Sequence, residues 1–250
     1  MTLREVVTQA WEGEGAELYE RVRPGYPQSA IDFIAEELGI GEDSDVLDLA
    51  AGTGKLTRAL LPLGCRLTAV EPLTGMRTVL TRELPEVAVL AGSAEEIPLH
   101  DDSIDAVIVG QAFHWFDRER APREIARVLR PGGGLVAIWN MRDESVEWMN
   151  GVREIIERAR GDTPRHRDGE WERGIEDSCL YAPLELRTFQ HVQEASREDA
   201  IGAFASRSYI SALPEDERAA HIRQLAAAVP DEERVAIPYT TEVYWTHRSP

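Results

Sequence analysis

The sequence predicts an α/β fold, a doubly wound and mostly parallel seven-stranded sheet with a helical cover. Three observations carry that expectation. Through the first 140 residues, apolar runs of strand length alternate with helical stretches. Those runs are apolar on both faces, as parallel strands covered by helices on both sides must be. Beyond Asn140 the rhythm changes, with longer helical stretches and two further strand-like segments and no low-complexity linker between them.

The elements follow in order. The N-terminal 40 residues read as helical segments interrupted by Arg23-Pro24-Gly25-Tyr26-Pro27. Val46-Leu47-Asp48-Leu49-Ala50 is the first strand, and Lys55 to Leu63 has helical spacing. Residues 66–71 form a second strand, a helix runs from about 74 to 84, and 87–90 form a third strand. Residues 104–109 are the fourth strand and 135–139 the fifth, with Arg130-Pro131-Gly132-Gly133-Gly134 as the turn that stops the helix between them. Val146, Met149, Val152, Ile155 and Ile156 give 144–160 a helical face. The stretch 161–175 is polar, with Gly161, Gly169 and Gly174, and Arg160-Gly161-Asp162 reads as a loop. A strand near 184–192, helices over 197–213 and 215–229, and a last strand over 235–246 complete the chain. The whole reads as one domain over 1–250: an N-terminal helical cover at 1–38, a core at 40–143, a helical insertion at 144–183 and a C-terminal sheet with helices at 184–250.

A length of 250 residues fits one large domain, or one domain with a modest insertion. With 43% hydrophobic and 29% charged residues the chain has material for a real core, which excludes a disordered class. No apolar run approaches the roughly 18–20 residues of a membrane span. Met1-Thr2-Leu3-Arg4-Glu5 leads into no apolar segment, so no secretory signal is expected. The net charge of −18, from 45 acidic against 27 basic side chains, would repel a nucleic-acid backbone and anionic lipid, so neither is an expected partner. Lys55 is the one lysine; the remaining basic residues are Arg. Cys65 and Cys179 form no CxxC pair, which points to a reduced, cytoplasmic protein. The six histidines make no HxxxH or HExxH spacing, so no metal site is expected.

The informative stretch is Val46-Leu47-Asp48-Leu49-Ala50-Ala51-Gly52-Thr53-Gly54, a strand entering a small-residue turn and then a helix. Small residues let a backbone approach a ligand closely. A phosphate-binding loop of the GxxxxGK[S/T] type fails, since Leu49 and Leu56 hold its glycine and hydroxyl positions. A dinucleotide fingerprint is weak, because Thr57 stands where its third glycine belongs. The order hhDhAxGxG, followed by Glu71 at the end of the second strand, resembles the class I S-adenosylmethionine-dependent methyltransferases. Glu71-Pro72 with Met76, Gly92-Ser93-Ala94-Glu95-Glu96-Ile97-Pro98, Asp102-Ser103-Ile104-Asp105 and Leu129-Arg130-Pro131-Gly132-Gly133 continue the resemblance over residues 40–140.

That resemblance implies a Rossmann-like methyltransferase fold with a reversed last strand, and S-adenosyl-L-methionine as cofactor. It implies that Asp48, Ala50, Gly52, Gly54, Glu71, Pro72, Met76, Ser93, Ala94, Glu95 and Gln111 line the cofactor. Glu71 is suited to accept from both ribose hydroxyls, as a carboxylate can. Asp48 would sit near the amino-acid end of the cofactor, or be purely structural; Met76 also reads as a core residue of its helix. The block Gly110-Gln111-Ala112-Phe113-His114-Trp115-Phe116-Asp117, with Tyr19, Arg23-Pro24-Gly25-Tyr26-Pro27 and Trp139-Asn140-Met141-Arg142-Asp143, is similar to the trans-aconitate methyltransferase-like (methyltransferase type 11) small-molecule group. By that likeness Tyr19, Arg23, Tyr26, Trp115, Asn140 and Arg142 contact a small-molecule methyl acceptor. His114 is the candidate catalytic residue, either as a general base or as part of a packed aromatic wall that positions its neighbours. A carboxylate acceptor needs no base but needs a local cation, for which Arg23, Arg142 and Arg207 are candidates. Transfer to oxygen is the leading expectation. A carbon- or nitrogen-directed enzyme of natural-product metabolism, or a cofactor-binding protein that transfers no methyl, are the alternatives.

Overall fold

The computed structural model describes residues 11, 13–160 and 166–250. Gly161 and Asp162 of the expected loop, and the first ten residues of the expected N-terminal cover, lie outside the described residues. Seven strands form one sheet in the order β3-β2-β1-β4-β5-β7-β6. The strands are β1 (Asp45–Leu49), β2 (Arg66–Val70), β3 (Ala88–Leu90), β4 (Ile104–Gly110), β5 (Leu129–Arg142), β6 (Glu185–Ser196) and β7 (Arg234–His247). β1 pairs in parallel with both β2 and β4, and β4 with β5. β7 is reversed: Arg248 exchanges backbone hydrogen bonds with Gly132 and Gly133, while Asp143 donates to Pro238, so residues ascending β5 meet residues descending β7. Strand order turns back at β1, whose two neighbours are β2 and β4. In open sheets, ligands bind at such a switch point, at the strands' carboxyl ends.

The described helices are α1 (Glu14–Val22), α2 (Gln28–Leu38), α3 (Lys55–Leu60), α4 (Thr74–Glu83), α5 (Arg120–Val128), α6 (Glu147–Arg160), α7 (Glu170–Ser178), α8 (Arg197–Ala205), α9 (Ser208–Ser211) and α10 (Glu215–Ala228). The described residues divide into two compact units. One draws on 11, 13–24, 141–160 and 190–240, the other on 25–140, 166–189 and 241–250. The second unit contains the parallel strands. Ala30, Ile31, Phe33 and Ile34 of α2 and Leu56 and Leu60 of α3 pack with Val46, Ile108, Val136 and Ile138 of the strands. Residues 28–38, grouped with the cover in the sequence reading, are therefore part of this core. Leu80, Leu84 and Val87 form a separate cluster with Ala51 and Ala69. The first unit has its own core, in which Met149, Val152, Ile155 and Ile156 of α6 meet Ala200 and Phe204 of α8 and Leu225 of α10.

Three expectations are corrected. Arg130–Gly134 is no turn outside the strand: β5 begins at Leu129, and its register against β4 jumps from Ile104↔Leu129 to Ala106↔Gly134. A β-bulge takes up the extra residues, and glycine is required there because a Cβ at Gly133 would lie 2.9 Å from the Arg130 carbonyl oxygen. The helix expected over 197–213 is broken. Arg23 Nη2 takes the Ser206 carbonyl at 3.2 Å, Arg23 Nε donates to Ser206 Oγ at 3.0 Å, and α9 restarts two residues later. The polar stretch 161–175 runs into α7, whose Trp171 and Ile175 are buried. Gly174 inside α7 disguised it, and the close approach explains that glycine: a Cβ there would sit 2.6 Å from the Arg118 carbonyl.

Candidate active site

Asp48 is fully buried on β1, with a strand paired on either side. Its Oδ2 accepts from Thr57 Oγ1 at 2.5 Å, while Oδ1 is buried with no hydrogen-bond partner among the described residues. Burial pushes its carboxyl up to about 7, helped by the neighbouring charge of Glu71 and opposed by the Thr57 hydroxyl. The chain then turns through left-handed conformations at Ala50 (φ 59°), Gly52 (φ 60°) and Gly54 (φ 91°). A Cβ at Gly52 would meet nothing within 4 Å, so this backbone faces open space. Gly54 is required by its left-handed φ, and a Cβ there would also lie 3.0 Å from the Leu84 side chain.

Glu71, just past β2, closes the turn. Its Oε2 accepts from the Gly52 N–H at 2.9 Å and its Oε1 from the Leu73 N–H at 2.8 Å. Burial raises its pKa, against the pull of both N–H groups and of Arg77. Both carboxylate oxygens are engaged by main chain, and each keeps a lone pair for a further donor. Pro72 is exposed and its carbonyl accepts from Arg77, while Met76 is buried in α4.

The next loops lie in the same unit. Ser93 pairs with Glu96 and its hydroxyl accepts from the Glu95 N–H; Ala94 is buried. The Glu95 carboxylate accepts from the Asp117 N–H at 2.9 Å, tying the loop after β3 to the loop after β4. Gln111 directly follows β4 with φ 62°, so Ala50 and Gln111 are two non-glycine residues held left-handed just past the carboxyl ends of adjacent strands. Such strain persists where the surroundings impose it, often at functional sites. Tyr26 reaches the same strand end: a Cβ on Gly110 would fall 2.6 Å from its hydroxyl. His114 lies on a single 3-10 turn, Phe113–Trp115, half-buried, its ring 5.3 Å from that of Trp115. Phe113 is buried against Phe116 and Trp171. Asn140 spends its side chain on structure, donating to the Gly25 carbonyl at 2.8 Å and accepting from Thr241 Oγ1 at 2.7 Å.

Tyr19, Arg23 and Arg142 lie in the other compact unit. There the Arg23 guanidinium sits 5.0 Å from the Tyr19 ring centre and that of Arg142 is 5.5 Å from Phe204. The sequence reading did not find their neighbours Tyr209 and Tyr239, nor a buried group in the sheet unit where His166 stacks on Trp139 at 4.1 Å and contacts Glu242 at 2.6 Å. Trp171 and Ile175 at i, i+4 spacing were the one available signal for the latter; the tyrosines had none. Among the described residues no helix is long and apolar enough to cross a membrane.

Residues 47–137 match the sequence profile of the methyltransferase domain family. An uncharacterised methyltransferase of Mycobacterium tuberculosis is 40% identical over 92% of this chain and 92% of its own length. A methyltransferase-like protein of Schizosaccharomyces pombe is 35% identical over 93% of each. Among solved structures, a candidate type II methyltransferase from Anaeromyxobacter dehalogenans superposes with a TM-score of 0.68 at 25% identity, covering 91% of this chain and 99% of that one. Geranyl diphosphate methyltransferase, solved with S-adenosylmethionine, shares the fold at a TM-score of 0.52 and 15% identity, over 88% of this chain and 85% of that one.

Proposed function

The chain belongs to the class I S-adenosylmethionine-dependent methyltransferases, and from that premise we propose that it methylates a small molecule at oxygen, on a hydroxyl or a carboxylate. One observation carries the cofactor side of this reading. Among the described residues, Asp48 presents a buried carboxylate oxygen with no donor, beside Glu71 and the open backbone of Gly52. A buried acceptor without a donor is costly, and the α-ammonium group of S-adenosylmethionine supplies donors and positive charge. Glu71 keeps the lone pairs that ribose hydroxyls require, so the residues present fit the cofactor. We assign Ala50, Gly52, Gly54, Pro72, Met76, Ser93, Ala94, Glu95 and Gln111 to the same site.

When bound, the cofactor supplies an activated methyl group. The chain's contribution is alignment and exclusion of water, since in-line transfer gains most from holding nucleophile and methyl in register. The Tyr26 hydroxyl reaches the β4 end, His114 and Trp115 lie in the loop that follows it, and we assign these three to the acceptor side. For a hydroxyl acceptor, which keeps its proton at neutral pH, His114 would take that proton. For a carboxylate, already ionised, His114 would only position.

The test is methyl transfer from labelled S-adenosylmethionine to a panel of small hydroxyl and carboxyl compounds, read by mass spectrometry. Ester or ether products, with S-adenosylhomocysteine formed in equal amount, support the reading. Products methylated only at carbon or nitrogen, or cofactor binding with no transfer to any acceptor, overturn it. A base role for His114 then shows as loss of roughly 10²–10⁴ in kcat and of the acid limb of the pH profile in His114→Ala. A positioning role leaves that limb in place.

A further inference from the structure

Three arginines converge where, among the described residues, no acid forms an ion pair with them. Arg23 follows α1, Arg142 ends β5, and Arg207 lies between α8 and α9, all within one compact unit. Arg142 stands in the field of both Arg207 and Arg23, and Arg23 in that of Arg207, with only Tyr19, Tyr209 and Tyr239 offsetting them. Burial first, then Arg207, pushes the Arg142 guanidinium down to about 9. Elsewhere on the molecule arginines find carboxylates, as Arg66 does with Asp45, Arg127 with Glu124 and Arg130 with Asp105. The chain offers 45 acidic side chains, yet among the described residues none forms an ion pair with Arg23, Arg142 or Arg207.

The donors are also incompletely used. Arg23 spends two of its N–H groups on Ser206. Arg207 Nε and the Tyr209 hydroxyl are buried with no hydrogen-bond partner among the described residues. Aromatic faces brace the cations: Tyr19 under Arg23 and Phe204 under Arg142. Like charges gathered in a part-buried cluster are costly unless something of opposite sign enters. Orphaned buried donors make the same demand.

We propose that Arg23, Arg142, Arg207 and the Tyr209 hydroxyl form a binding site for a small oxyanion with at least two negative charges, a dicarboxylate or a phosphate ester. A single carboxylate would leave most of the cluster's charge unanswered. Guanidinium groups in a fixed array read the planar, bidentate geometry of such oxyanions. The site is complete within one unit and does not depend on methyl transfer; a role for its ligand as the acceptor would rest on the reading above.

Calorimetry on the full chain without cofactor tests it, titrating succinate and inorganic phosphate against sodium chloride of matched ionic strength. Saturable one-to-one binding of a dianion is expected, weakened roughly 10- to 100-fold in Arg207→Gln and in Arg142→Gln and weakened less in Arg207→Lys, which keeps the charge but loses the bidentate fork. Tighter succinate than phosphate identifies a dicarboxylate site, and the reverse a phosphate-ester site. Without added anion, both Gln variants should melt at or above the parent temperature, because repulsion is relieved. Dianions that bind no better than chloride, equal binding by parent and Gln variants, or Gln variants that melt well below the parent would overturn the proposal.

Discussion

The two regions richest in buried charge solve opposite problems. At the ends of β1 and β2, Asp48 and Glu71 are held by groups close along the chain: Thr57, and the backbone N–H groups of Gly52 and Leu73. The arginine cluster takes one cation from each of three distant segments and leans on aromatic faces and Ser206. The difference teaches that a carboxylate site can be built by a turn, because main-chain N–H groups are everywhere. A cation site has only carbonyls and side chains to draw on, and its like charges must be gathered by tertiary packing.

The largest test of that contrast is pH-dependent. Folded Asp48 keeps its proton up to about 7, while an unfolded aspartate releases it near 3.8. Between those values the folded chain binds more protons than the unfolded one, so this group's contribution to stability falls as pH rises from about 4 to about 7. Three pH units at 1.36 kcal/mol each amount to on the order of 4 kcal/mol. Asp48→Asn should therefore stabilise the cofactor-free protein at pH 8 by a figure of that order and leave it unchanged near pH 4. Melting curves across pH that stay parallel for parent and variant would contradict the assignment.

Next in size is Glu71→Ala, which should weaken S-adenosylhomocysteine binding by about 2–4 kcal/mol, measured by calorimetry. Glu71→Asp should recover little, because the shorter arm cannot hold Gly52 and Leu73 together. Near-native affinity in the alanine variant would mean that the ribose is held elsewhere. For the parent, S-adenosylhomocysteine at about 100 times Kd should add roughly 2.7 kcal/mol, a melting shift of roughly 5–10 °C. A shift with NAD or ATP but not with this ligand would break the comparison at its first term. The smallest effect concerns the turn itself. Ala50→Gly should relax a left-handed alanine and stabilise the fold by about 0.5–1 kcal/mol in denaturant titrations.

The parallel half of the fold was legible because its signals are local. The strand at 46–50, the left-handed turn through Gly52 and Gly54, and Glu71 at the end of the next strand follow one another within a short span, and the structure reproduces that order. What misled the reading was also local. The glycines of 132–134 suggested a turn where a bulge was built, and Gly174 hid a helix whose glycine serves a close approach to Arg118. An apparently continuous helical pattern over 197–213 gave no sign that Arg23 would claim the Ser206 carbonyl.

By itself, then, the sequence determined the alternation of strands and helices and the small-residue turn after the first strand, since each is set by periodicity and by residue types a few positions apart; the family was legible as a resemblance of motifs in order. Tertiary structure alone decided that Asp48 would keep an oxygen unpartnered among the described residues, that Asn140 would bind Gly25 rather than stand free, and that Arg23, Arg142 and Arg207 would share one another's field. The physical reason is that burial and charge–charge proximity belong to pairs of residues. A pair separated by scores of residues acquires them only when the chain closes.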